Sequence, residues 1–169
     1  MLNVFLTKAL ATELGITSGN AHPTSNNPKL SWLGHLIELN GKKFAIFINE
    51  TSLFSIVLEI TKDGDLWKTF RDRLGQFFRE LQMEDSDIDE YLAHFEQITI
   101  FQLQDKKLLG KVNSIVSRAK KPVSDICRMG LPLRMADTLI NAESPSKRKR
   151  GKCQCPTCAM MEIISEGIA

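Results

Sequence analysis

The sequence predicts an α+β fold: a mostly antiparallel sheet of about four to five strands packed against a layer of amphipathic helices. Three observations carry that prediction. Two strand-type runs, SWLGHLIEL and KFAIFI, flank Asn40-Gly41, the dipeptide most favoured in a two-residue hairpin turn. From Leu66 to Leu81 the apolar positions switch to a spacing of three and four, one stripe of an amphipathic helix. Strands come early and helices follow, with a single later strand, so the elements segregate rather than alternate as in a doubly wound parallel sheet.

The elements follow in order. Leu2 to Leu6 is a short β-type run, and Thr7 is placed to cap a helix over Lys8 to Leu14 that Gly15 ends. Residues 17–29 are turn-formers and read as a long loop. In the hairpin, alternation puts Trp32, Gly34, Leu36 and Glu38 on one face and Leu33, His35, Ile37 and Leu39 on the other. Phe44, Ile46 and Ile48 alternate with Lys43, Ala45 and Phe47, and Leu53 to Ile60 supplies a third strand of a meander. The helix over 66–81 has Asp63 or Asp65 to cap it, and a second runs from about Ser86 to Glu96 with Ile88, Leu92 and Phe95 inward. Ile98 to Leu103 is a further strand. Leu108, Leu109, Val112, Ile115 and Val116 form another helical stripe. Pro122 is expected to separate it from a last helical region over Ser124 to Asn141, weakened by Gly130 and Pro132.

The chain has 169 residues, 43% hydrophobic and 25% charged, enough for one sizeable core. Residues 1–143 read as one α+β domain, and 144–169 as a basic loop and C-terminal helix packed on it. Five of the 22 basic and two of the 20 acidic residues lie in 144–169, a net of +3 there and −1 over 1–143. A near-neutral body argues against a domain-wide footprint for nucleic acid, so any phosphate contact belongs to the tail. No apolar run approaches the ~20 residues needed to span a bilayer, and no membrane association is expected. The N-terminus lacks a basic leader before an apolar block, so a cytoplasmic location and reduced or metal-bound cysteines are the expectation.

The segments FLTKALATELG, SWLGHLIELNGKKFAIFINETSLFSIVL and FFRELQ together resemble the bacterial family catalogued as domain of unknown function 6933. The matching residues are Leu6, Thr7, Lys8 and Leu10; Trp32 and Leu36; and Phe47, Asn49, Thr51, Leu53, Phe54 and Ser55. LLGKVNSIV resembles a later family helix, and Pro156-Thr157-Cys158-Ala159-Met160 falls near a Pro-x-x-Ala-Met segment. The resemblance covers nearly the whole chain and implies no known activity. Cysteines ahead of that proline depart from the family pattern, which often carries an aromatic there. The resemblance implies one candidate groove, formed by the matching or adjacent polar residues Thr7, Lys8, Trp32, His35, Asn49 and Thr51 near strand ends.

GKCQCPTC places Cys153, Cys155 and Cys158 within six residues. Three thiolates at C-x-C-x2-C spacing suit a tight metal-binding turn, and zinc is the metal they would take. A tetrahedral site needs a fourth ligand, for which Cys127 is the candidate, with His22, His35 and His94 farther away in sequence. The plainer reading makes them small residues at the start of a helix, CAMMEIISEGI, packing on the core; on that reading no cofactor is expected.

The run Lys147, Arg148, Lys149, Arg150, with Lys152, could meet nucleic-acid phosphates, but without interleaved aromatic residues it equally suits a solvated loop. Glu84 to Glu90 has acids at alternate positions like a calcium loop, yet Glu90 stands where the turn needs glycine, so an acid-rich helix start is the better reading. No nucleophile elbow, Walker loop, dinucleotide fingerprint or zincin helix is present. The sequence therefore reads as an interaction or regulatory module without catalytic activity, binding an unidentified protein partner. The alternatives are a small enzyme with a groove near Trp32, His35 and Asn49, or a nucleic-acid-binding accessory protein using the basic tail.

Overall fold

A computed structural model describes residues 1–17, 27–142 and 155–167. Five strands form one sheet: β1 (Leu2–Leu6), β2 (Ser31–Leu39), β3 (Lys42–Asn49), β4 (Ser55–Glu59) and β5 (Ile98–Gln102), in the order β4-β3-β2-β1-β5. Six helices accompany them: α1 (Lys8–Glu13), α2 (Leu66–Glu80), α3 (Asp85–Ala93), α4 (Lys106–Arg128), α5 (Arg134–Ala142) and α6 (Pro156–Ser165). The fold is α+β. The sheet is mixed, with the two antiparallel ladders, β2–β3 and β3–β4, holding the larger share of paired residues. β1 pairs in parallel with both β2 and β5. The predicted meander is therefore flanked by a parallel edge, and β3 alone runs opposite to the rest.

The hairpin forms where Asn40-Gly41 predicts it. Both residues take positive φ, 52° and 76°, the backbone a tight primed turn requires. Alternation then sorts side chains to two faces. Val4, Trp32, Phe47 and Ile56 face one core cluster, and Phe5, Leu33, Ile46 and Val57 face the other. Gly34 sits where β2 passes under α1. A Cβ there would lie 2.5 Å from Leu6 Cδ2 and 3.0 Å from Leu10 Cδ2, so glycine permits the approach. β4 starts later than predicted, at Ser55, because Leu53 turns the chain with a φ of 60°.

Helices cover both faces of the sheet, one layer more than the amphipathic pattern predicts. The first cluster takes Leu10 of α1, Phe70, Leu74, Phe77 and Phe78 of α2, Ile88, Tyr91 and Leu92 of α3, and Met160, Ile163 and Ile164 of α6. Phe70 is its centre, edge-on to Trp32 at 4.9 Å and stacked on Phe47 at 4.4 Å. Asp65 starts α2 by accepting hydrogen bonds from the amides of Trp67 and Lys68, both at 3.0 Å. The acidic run opens α3, with Asp85 and Asp87 in its first turn, and Arg79 bridges Asp85 and Asp89 at 2.8 and 2.6 Å.

The second face is covered by α4, and here the expected break at Pro122 does not occur. α4 is continuous from Lys106 to Arg128 with Pro122 inside it. An interior proline removes one backbone donor and crowds the preceding turn, at a cost of about 3 kcal/mol. Val112, Ile115, Val116 and Ala119 before it, and Val123 and Ile126 after it, are all buried on one stripe. Burial of a large aliphatic side chain contributes about 1.5–3 kcal/mol, so this stripe outweighs the proline. The chain breaks instead after Met129, where Gly130 takes a φ of 66° and Pro132 follows. Among the described residues no helix is long and apolar enough to cross a membrane.

Candidate functional site

Trp32 and Asn49 stand opposite each other across β2 and β3, and both are completely buried. Trp32 Nε1 donates to Tyr91 Oη at 3.1 Å, and the Tyr91 hydroxyl donates to the Lys29 carbonyl at 3.2 Å. Burial drives the Tyr91 phenol pKa well upward, so it remains a neutral donor. Asn49 Nδ2 donates to the same carbonyl at 2.9 Å. Asn49 Oδ1 accepts from the amides of Thr51 and Ser52 at 3.2 and 3.0 Å, closing the turn before β4. Ser52 Oγ lies 3.0 Å from Asn49 Oδ1 and 3.3 Å from Met160 Sδ of α6. These groups form one buried network that ties β2, β3, α3, α6 and the segment before β2 together.

Of the other motif residues, Thr7, Lys8 and His35 lie apart from it, whereas Thr51 joins it through its backbone amide. The Thr7 amide donates to Gly34 O at 2.9 Å, its Oγ1 is buried with no hydrogen-bond partner, and Lys8 is exposed. His35 pairs with Ile46, on the sheet face opposite Trp32, and its Nδ1 lies 2.6 Å from Leu36 O. Thr51 is exposed. His94 meets the N-terminal amine at 3.1 Å; burial and that positive charge lower its pKa.

A second polar cluster lies at the β4 edge. Asp137 and Asn141, one helical turn apart on α5, are completely buried. The Val57 amide donates to Asp137 Oδ1 at 2.8 Å, and Arg73 Nε of α2 donates to Asp137 Oδ2 at 3.0 Å. The Ser55 amide donates to Asn141 Oδ1, and Asn141 Nδ2 donates to Ser55 O, both at 2.7 Å. Burial pushes the Asp137 pKa up to about 7, against the opposing pull of the Arg73 charge and the Val57 amide. The open backbone of the edge strand is thus satisfied by helix side chains. Asp and Asn four residues apart, beside Ala136 and Ile140, were the sequence signal, and on an amphipathic helix they pass for a solvent face.

The described cysteines are divided between the two sides of the sheet. Cys127 packs against the α4 cluster, whereas Cys155 and Cys158 begin α6 on the other layer. Cys155 Sγ accepts from the Cys158 amide at 3.2 Å and lies 2.8 Å from Cys158 Sγ. Cys153, His22 and the basic residues Lys147, Arg148, Lys149, Arg150 and Lys152 lie outside the described residues. Among the described residues no three His, Cys, Asp or Glu side chains gather as metal ligands.

The model of the family described as domain of unknown function, DUF6933, matches residues 3–153. The chain belongs to the DUF6933 family. No curated protein matches it. The matched span includes both halves of the Trp32–Asn49 pair, the Asp137–Asn141 edge and Cys153, and it ends before α6.

Two surface features of this DUF6933 chain stand out among its described residues. An open cleft between α1, the hairpin tip and the end of β4 has Lys43 paired with Glu13 at 2.6 Å and Lys42 with Glu59 at 3.0 Å. Two of its cations are therefore already matched by carboxylates. The α4–α5 corner is different in kind. Met129, Leu131, Met135 and Leu139 are 58%, 40%, 44% and 51% exposed. An ion pair between Arg134 and Glu80 ties the start of α5 to the end of α2, where Leu81 is 41% exposed. Among the described residues these five and Met1 are all of the large exposed apolar side chains.

Proposed function

We propose that this DUF6933 domain is an interaction module that binds a protein partner through the α4–α5 corner. The observation that carries the reading is that, of the six large exposed apolar side chains among the described residues, four, Met129, Leu131, Met135 and Leu139, fall within residues 129–139. Single exposed apolar residues are ordinary, whereas their clustering marks a contact surface. Met135 and Leu139 lie four apart and share one face of α5, while Asp137 and Asn141 hold the same helix to the sheet. The surface is therefore presented on a fixed element, which lowers the ordering cost of binding. Arg128 and Arg134 flank it and are already paired with Asp125 and Glu80, so the matching partner is one that meets it with an apolar surface.

Comparative capture tests the reading. Tagged wild-type chain and a Met135→Glu/Leu139→Glu variant are expressed side by side in the native cell, and the retained protein is then purified and its affinity measured with both. The double variant keeps its melting temperature, because both positions are exposed, and binds the partner roughly tenfold or more weakly. Equal affinity for wild type and variant contradicts the proposal.

A further inference from the structure

We propose that Cys155 and Cys158 form a reversible redox dithiol that exchanges with disulfides of low-molecular-weight thiols. The site is built by Cys155-Pro156-Thr157-Cys158 at the start of α6. Cys155 is the N-cap residue, with φ −73° and ψ 147°, and Pro156 occupies the first helical position, where its fixed φ suits a helix start. That geometry folds the first turn so that the two sulfurs lie 2.8 Å apart. A disulfide bond of about 2.05 Å asks for less than one ångström of further approach. Both residues are partly exposed, and Pro156, Met160, Ile163 and Ile164 anchor the helix below.

The two sulfurs differ in surroundings, which assigns their roles. Cys155 Sγ receives the Cys158 amide at 3.2 Å, and it sits at the positive end of the α6 dipole. The sulfur that receives that amide is the one placed at the entry of the helix, ahead of its partner in the first turn. Cys155 is thus the attacking sulfur. Its thiolate bonds to one sulfur of R–S–S–R, giving a mixed disulfide with Cys155 and releasing R–S⁻. Cys158 then loses its proton and attacks Cys155 Sγ, closing the Cys155–Cys158 bond and releasing the second R–S⁻. Two thiols are oxidised to one disulfide, the small disulfide is reduced to two thiols, and two electrons and two protons pass to it. The same steps reverse under excess R–SH.

The test uses the full chain equilibrated with defined ratios of reduced and oxidised glutathione, acid-quenched, alkylated and mapped by mass spectrometry. The expected product is a Cys155–Cys158 disulfide that forms and disappears with the ratio. Cys158→Ser accumulates the mixed disulfide on Cys155, and Cys155→Ser slows consumption of the oxidised probe by roughly tenfold or more. Serine is itself a good N-cap, so α6 keeps its start in that variant. Cys127→Ser and Cys153→Ser leave both results unchanged. A product that requires Cys153, a Cys155→Ser rate equal to wild type, or stoichiometric zinc with unreactive thiols in protein purified without chelator overturns the proposal.

Discussion

Asn141 bonds Ser55 as a neighbouring strand would, receiving its amide on Oδ1 and returning Nδ2 to its carbonyl, both at 2.7 Å. A helix side chain thereby completes the edge of the sheet. Asn141→Ala leaves a buried donor and a buried acceptor unmatched, and each such group costs about 1–3 kcal/mol. Urea denaturation is expected to show a loss of about 3 kcal/mol, with faster hydrogen exchange at Ser55. A loss below about 1 kcal/mol would place the edge under other control.

Asp137 makes stability depend on pH in an unusual direction for an aspartate. Its ordinary value of 3.8 is raised by burial to about 7 in the fold. The folded state therefore holds the proton more tightly than the unfolded state between those values. This contribution is fully present below 3.8, is lost as pH rises, and is gone above about 7. Relative to Asp137→Asn, the wild type is expected to lose stability as pH is raised through that interval. A difference that stays level, or runs the other way, would show that Arg73 holds the carboxylate ionised in the folded state.

Tyr91 links α3 to the network beneath β2. Tyr91→Phe removes the acceptor of Trp32 Nε1 and one donor to Lys29 O, while the ring keeps its place in the core. A destabilisation of about 1–3 kcal/mol is expected from the orphaned indole N–H. The tryptophan emission spectrum is expected to shift with it. An unchanged melting temperature would contradict the assignment.

Much of this architecture is legible in the sequence, and the exceptions share a cause. The hairpin, the two faces of β2 and β3, and the α2 stripe are set by local pattern, since Asn40-Gly41 and the spacing of Phe70, Leu74 and Phe77 speak for themselves. The parallel pairing of β1 with β2 and β5 is not local and leaves no periodic trace. Pro122 reads as a breaker because its cost is local, whereas the burial that offsets it is spread along six positions of α4. At the candidate sites the family resemblance picks out Trp32 and Asn49, and both take part in the buried network. Asp137 and Asn141 escape notice because their partners, Val57 and Ser55, are backbone groups far away in the chain.

The most direct test of the account is the footprint of the captured partner on this chain, read by hydrogen exchange in the purified complex. Protection is expected over residues 129–139, including the exposed side of α5, and is lost in Met135→Glu/Leu139→Glu. Protection confined to the β5 edge or to α3, with 129–139 exchanging as in the unbound chain, would contradict it.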